Sequence, residues 1–151
     1  MEHNIQTSLS TLEILGSQTV QEMKLAYPVI NQLRDKLTFD EFLNRVRLAQ
    51  SEGYKLFYAV TGEKAVVGAV GLRILDDLCW GHHIYVDDLV VGESWRSRGI
   101  GKKLMQYVED LAHSEQCQYI RLASGISRTE AHKFYERLGY QKTSFSFALK
   151  L

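Results

Sequence analysis

The chain has 151 residues, 18 Lys and Arg balanced by 18 Asp and Glu, and 45% apolar residues. That length suits about one domain with a real core, and zero net charge gives no long-range field to draw the protein to nucleic acid or an anionic membrane. No run of about 18 apolar residues could span a membrane, Met1-Glu2-His3-Asn4 has no leader character, and Cys79 and Cys117 stand in no metal or redox spacing, so a cytoplasmic protein with reduced thiols and no metal is expected.

Residues 1–10 are polar and read as a flexible tail ahead of a single domain over 11–151. Thr11 to Leu15 alternates as a strand. Thr19-Val20-Gln21-Glu22 has the form of a capping box, and Val20, Met23, Tyr27 and Ile30 continue it as a helical stripe. Pro28, the only proline, is expected to break or kink this helix near Tyr27. A second capping box, Thr38-Phe39-Asp40-Glu41, opens a helix that ends near Gly53. Tyr54–Val60 and Ala65–Ile74 read as strands around a Thr61–Lys64 turn, and Asp76-Asp77 as the next turn. Cys79 to Val91 reads as one long strand, and Gln118 to Ala123 as another. Ser127-Arg128-Thr129-Glu130 has the form of a third capping box, for a helix that stops at Gly139. Phe145, Phe147, Leu149 and Leu151 then recur at period two, as in a strand with one buried face. Hairpin-linked strands with inserted helices imply a mixed α/β fold, a largely antiparallel sheet of about six to seven strands flanked by about four helices.

Between the long strand and its following helix lies Arg96-Ser97-Arg98-Gly99-Ile100-Gly101-Lys102-Lys103. The positive end of a helix dipole disfavours cations, each at roughly 0.3–1 kcal/mol, yet four basic residues crowd this one. A bound anion, held by the open N–H groups, would turn that repulsion into attraction; a solvated turn with its basic side chains in water is the alternative. Neither G-x-G-x-x-G nor G-x-x-x-x-G-K-[ST] is present, because position 104 is leucine and Lys102 is followed by Lys103.

Arg96-Ser97-Arg98-Gly99-Ile100-Gly101 after Leu89-Val90-Val91 resembles the acetyl-CoA pyrophosphate loop of the GNAT N-acetyltransferase superfamily, [QR]-x-x-G-x-[GA]. Ala131-His132-Lys133-Phe134-Tyr135-Glu136-Arg137-Leu138-Gly139-Tyr140 resembles that family's second motif, A-x-x-F-Y-x-x-x-G-[FY], one strand and one helix later. The resemblance covers nearly the whole chain. It implies an acetyl-CoA-dependent N-acetyltransferase that moves acetyl to a primary amine by direct attack in a ternary complex. The cofactor would meet Leu89, Val90, Val91, Arg96, Ser97, Arg98, Gly99, Ile100, Gly101, Lys102 and Tyr135. The Leu89 backbone N–H would stabilise the oxyanion, Val91 would pair with the pantetheine amides, and Tyr135 would protonate the leaving thiolate as general acid. Tyr135 also fits a core stripe with Ala131, Phe134 and Leu138. Family members often carry asparagine where this chain has Arg128, which alters one detail of pantetheine binding.

An alkylamine is mostly protonated at neutral pH, and deprotonation costs about 4.6 kcal/mol. A base or water chain is therefore expected: Asp87 or Asp88, which alternation would put on opposite faces of the strand, or His82 or His83. For the acceptor, Tyr27, Asn31, Arg34, Asp35, Trp80, His82 and His83 are candidates. The tail looks closest to small-molecule amine acetyltransferases such as the aminoalkylphosphonate kind. A protein lysine or N-terminal acceptor, or a non-catalytic CoA-binding module, are the alternatives, and a homodimer is among the assemblies considered.

Overall fold

The computed structural model describes residues 11–151, and the expectation for residues 1–10 lies outside them. In chain order the elements are β1 (Glu13–Gly16), α1 (Val20–Leu33), α2 (Phe39–Ser51), β2 (Lys55–Val60), β3 (Val66–Asp77), β4 (Gly81–Val91), a 3-10 turn (Glu93–Trp95), α3 (Ile100–Ser114), β5 (Tyr119–Leu122) and α4 (Thr129–Arg137). The strands form one sheet in the order β1-β2-β3-β4-β5, in which the pairs β1–β2, β2–β3 and β3–β4 are antiparallel. Two compact units are distinguished, one ending at Arg121 and one spanning Leu122–Leu151.

In the first unit both expected capping boxes form. Thr19 Oγ1 accepts from Glu22 N at 3.2 Å while the Glu22 carboxylate accepts from Thr19 N at 2.8 Å, and Thr38 and Glu41 repeat the exchange. Those backbone donors hold the Glu22 and Glu41 carboxyls below the usual carboxylate range. Pro28 does not interrupt α1, which runs unbroken to Leu33. Lys24 and Pro28 lie on its exposed side, where the carbonyl deprived of its N–H partner is open to water. Met23, Ala26, Val29 and Ile30 of α1 pack with Phe42 and Val46 of α2 on Leu56, Tyr58, Val60, Ala69 and Val90 of the sheet. Each of the larger side chains contributes about 1.5–3 kcal/mol by leaving water. Helix α3 covers the other face with Ile100, Leu104, Met105, Val108 and Ala112, all buried.

The β3–β4 turn occupies residues 78–80 rather than Asp76-Asp77: β3 continues to Asp77, and β4 starts at Gly81 rather than Cys79. The main irregularity lies further along β4. Gly71 pairs with Asp88 but Leu72 with Val86, so Asp87 is an extra residue in β4, a β-bulge. Opposite it, a Cβ on Gly71 would land on the ring and hydroxyl of Tyr54.

In the second unit the third capping box is absent. Arg128 holds the N-cap position without a side-chain cap bond, since a guanidinium has no acceptor to offer, and its N–H is turned back to Gly125 O at 3.0 Å. The helix therefore starts one residue late, and Glu130 misses the third helical position that a capping box needs. Gly139 adopts φ +93° beyond α4, as its left-handed C-terminal role requires. The expected final strand is not formed: residues 141–151 carry no regular element, and Phe145, Phe147, Leu149 and Leu151 are 81–110% exposed. Period-two apolarity records a capacity to pair, but a strand without a paired neighbour is not stable. This leaves five strands among the described residues, with the four helices expected.

Gly71→Ala should destabilise the protein by about 1–3 kcal/mol through overpacking. In a Tyr54→Ala background the same substitution should cost close to nothing extra, a coupling that urea unfolding of the four proteins measures.

Candidate functional site

The loop ahead of α3 has an alternating backbone. Ser97 (φ +61°) and Gly99 (φ +80°) are left-handed, whereas Arg98 and Ile100 are not. Alternating handedness turns successive N–H groups toward one concavity, the arrangement that cradles anions. Gly99 caps α3 with no side chain over its end. The amides at the start of the helix, which have no intrahelical partner, therefore face the same side as the dipole's positive pole. Residues 93–99 are exposed except Trp95, and Arg98 rests on the Trp95 ring at 5.3 Å. Ile100, by contrast, is 1% exposed and anchors the helix start in the core. Gly99 and Ser97 supply the bends; Gly101 lies inside the first turn of α3.

The geometry of β4 follows from two hydrogen bonds and the bulge. Gly92 N donates to Val67 O at 2.8 Å, so residues 92 and 67 form a hydrogen-bonded pair. Hydrogen-bonded and open pairs alternate along an antiparallel ladder. Leu89, opposite Val70, and Val91, opposite Gly68, are then open pairs whose N–H and C=O groups face away from β3. At the other end Gln118 N donates to His82 O at 2.8 Å, which aligns β5 with the first half of β4. Stepping up by twos, β5 reaches the level of Val86, so the outward groups of Leu89 and Val91 lie beyond it. The Val91 carbonyl accepts a long bond from Arg96 Nε at 3.4 Å, consistent with that direction. Val90 differs: its side chain is buried in the core against α1.

The bulge also corrects the expectation that Asp87 and Asp88 face opposite sides. Asp88 accepts from Tyr54 Oη at 2.7 Å and from Arg34 Nε at 3.0 Å. Asp87 accepts from Arg73 Nε at 3.0 Å and NH2 at 2.7 Å. Arg73 lies two residues from Gly71 on β3, hence on the face that Tyr54 and the α1–α2 layer occupy. Both carboxylates thus turn to one face, each in an ion pair. Burial, then the Asp88 charge, pushes the Tyr54 phenol well above its ordinary range.

The two histidines separate. His82 bonds Asp76 at 2.8 Å on the α3 side of the sheet, away from the carboxylates. His83 is fully buried, and its Nδ1 meets Gly81 O at 2.9 Å, which assigns the proton to Nδ1 and leaves Nε2 to accept from Arg121 at 3.5 Å. Among the acceptor candidates, Tyr27 donates to Leu37 O at 2.6 Å and packs on Phe39 and Phe42, a structural use. Asn31 keeps a buried Oδ1 without a hydrogen-bond partner. Asp35 is exposed beyond α1. Arg73, Tyr85, Tyr54 and Arg121 were not singled out from the sequence, although arginine in apolar strands was a usable signal.

In the second unit Tyr135 is partly buried, its ring edge-on to Phe134 and Tyr140 at 5.2 and 5.9 Å. Burial pushes its phenol above the ordinary tyrosine range, and the charge of Arg128 draws it part of the way back.

Among the described residues no group of three or more His, Cys, Asp or Glu could hold a metal, and no helix is long and apolar enough to cross a membrane. The model of the Acetyltransferase (GNAT) family matches residues 18–140. An uncharacterised N-acetyltransferase of Bacillus subtilis, YhdJ, is 33% identical over 131 residues, 84% of this chain and 90% of that protein. The aminoalkylphosphonate N-acetyltransferase of Salmonella typhimurium is 32% identical over 90 residues, 57% of this chain and 56% of that protein. In fold, the chain is similar to the aminoglycoside N-acetyltransferase AAC(6')-Iy in complex with CoA, with TM-score 0.79, 17% identity, and 93% and 94% of the two chains covered. The helix-terminal loop, the second motif and the family match converge: the chain belongs to the GNAT acetyltransferase family and is an acetyl-CoA-dependent N-acetyltransferase.

Proposed function

We propose that residues 11–151 work as one domain that transfers acetyl from acetyl-CoA to the primary amine of a small molecule, by direct attack in a ternary complex. The observation that carries this reading is the alternating-handed loop at Ser97–Ile100 with unshielded amides and basic side chains. It is suited to a diphosphate, with Arg96, Arg98 and Lys102 adding charge and the amides through Gly101 adding donors. The outward N–H of Leu89 suits the thioester oxygen as negative charge develops there, and the outward groups of Val91 suit an added strand such as the pantetheine amides. The Arg96 contact at Val91 O would give way when that arm binds. The relation to the aminoalkylphosphonate N-acetyltransferase supports a small amine as acceptor. A protein lysine or N-terminal amine is the competing acceptor.

In the reaction the amine nitrogen forms a bond to the thioester carbon, the carbon–sulfur bond breaks, and the thiolate takes a proton from Tyr135 Oη. A phenol above the ordinary tyrosine range keeps that proton through neutral pH, as an acid must. The amine's proton leaves to Asp87 or Asp88, or through water. Both carboxylates lie within two residues of Leu89 on β4, and the Arg73 clamp fixes the orientation of Asp87. The domain is read as cytoplasmic, where the free thiols of Cys79 and Cys117 stay reduced. It is also read as a homodimer, supported by the exposed apolar side chains of Phe145, Phe147, Leu149 and Leu151, which a second copy would cover.

Incubation with acetyl-CoA and a panel of small amines and lysine peptides, followed by free thiol and product mass, should give acetylated small amines and little peptide product. Stabilisation by acetyl-CoA without thiol release would point to a binding module instead. Tyr135→Phe should lower kcat by about a hundredfold, within the range for a lost general acid, with KM for acetyl-CoA nearly unchanged. The sign for pH is fixed: general-acid catalysis needs the protonated phenol, so its contribution to the rate holds below the raised pKa and is lost above it, a falling alkaline limb that Tyr135→Phe removes. Light scattering should report a dimer, and Phe145→Asp with Phe147→Asp should convert it to a monomer.

A further inference from the structure

Arg73 and Arg121 lie against the same ring but use their donors differently. Arg73 and Tyr85 are register partners across β3 and β4, with the guanidinium carbon 5.7 Å from the ring centroid. That of Arg121 is 5.7 Å from the Tyr85 ring and 4.7 Å from Trp80, whose ring meets Tyr119 edge-on at 5.0 Å. Asp87 takes two donors of Arg73 in a closed fork. Among the described residues Arg121 has the 3.5 Å contact to His83 Nε2 and an ion pair with Asp77 at 3.7 Å, too long for a hydrogen bond. Asp77's other oxygen accepts the Trp80 N–H.

Arg121 is therefore fixed by aromatic faces, 27% exposed, and among the described residues most of its five donors have no protein acceptor within hydrogen-bond reach. A planar guanidinium in that state suits a carboxylate, phosphonate or phosphate, whose paired oxygens match its fork. Its position matters as much as its chemistry. The Gln118–His82 bond brings β5 level with Tyr85, and Leu89 lies four residues further along β4, roughly 10–13 Å away. Asp87 lies between them.

We propose that Arg121, held between Trp80 and Tyr85, binds an anionic group at the far end of the amine acceptor. The acceptor class is then a short zwitterion whose amine, near Leu89 and Asp87, is several bonds from its carboxylate or phosphorus oxyacid. This rests on the reading of a small-amine acceptor, and the test separates the two. The probes are ω-amino compounds of graded length ending in carboxylate, phosphonate or an uncharged hydroxymethyl group. Wild-type kcat/KM should favour the anionic members by at least about tenfold over hydroxymethyl, and comparison of carboxylate with phosphonate identifies the anion. In Arg121→Gln that ratio should fall to about one. Arg121→Lys should keep part of it, as a point charge without the fork. Equal use of charged and uncharged acceptors by the wild type, or an equal loss on all of them in Arg121→Gln, would overturn the proposal. Should no compound turn over, the small-amine reading fails. Calorimetric titration of the same compounds with CoA present then decides the subsite: anionic members that bind wild type but not Arg121→Gln support it, and equal or absent binding overturns it.

Discussion

The single extra residue at Asp87 governs most of what β4 presents. Up to Val86 the even-numbered residues turn their backbone groups toward β5, as the His82 carbonyl shows. Beyond the bulge the odd-numbered residues do so, which gives Leu89 and Val91 their outward N–H and C=O groups. A regular strand would have offered residues 88 and 90 instead, and would have taken the Leu89 and Val91 side chains into the α1–α2 layer. The bulge reconciles two demands on one strand. Its first half needs Ile84 and Val86 buried on the α3 face, and its second half needs Val90 buried on the opposite face. One inserted residue changes the phase between them.

Around that change of phase the protein keeps its charges in pairs. Asp88 is shared between Tyr54 and Arg34, and Asp87 is clamped by Arg73. Such pairs do not add much net stability when formed, since desolvation offsets much of the attraction, but loss of one partner strands the other. Their effect is positional: they fix the two carboxylates and the Tyr54 ring against Gly71. Tyr54 adds a pH sensitivity of definite sign. Its phenol keeps its proton in the fold beyond the ordinary tyrosine value near 10, where the unfolded chain loses it, so stability is complete below that value and declines as pH rises past it.

Local chemistry was the part of this chain open to reading from sequence. Thr19 with Glu22 and Thr38 with Glu41 act within four residues, so nothing distant could alter them. Ser127–Glu130 has the same letters, but a turn back to Gly125 moved the helix start by one residue, and the box needs an exact offset. The two family motifs were legible because they too are short. The bulge was not, because counting by twos assumes one phase throughout a strand, and the placement of Asp87 and Asp88 on opposite faces failed for that reason. The tail shows the reverse error: Phe145 to Leu151 has the right period, but pairing depends on a neighbour that the period does not specify. Arg73 and Arg121 were not singled out, because the rings that support them, Trp80 and Tyr85, are distant in sequence and reach them only across the sheet.

Ser97 has a consequence for timing. A residue with a β-carbon held at φ +61° is uphill of its ordinary conformations by roughly 1–2 kcal/mol, and the fold holds it there with Ile100 seated in the core. The loop has therefore given up its conformational freedom during folding, before any diphosphate arrives. On the proposed reading, the backbone amides would meet the diphosphate without first reordering, and that entropy would not be subtracted from the donor's residence on the protein.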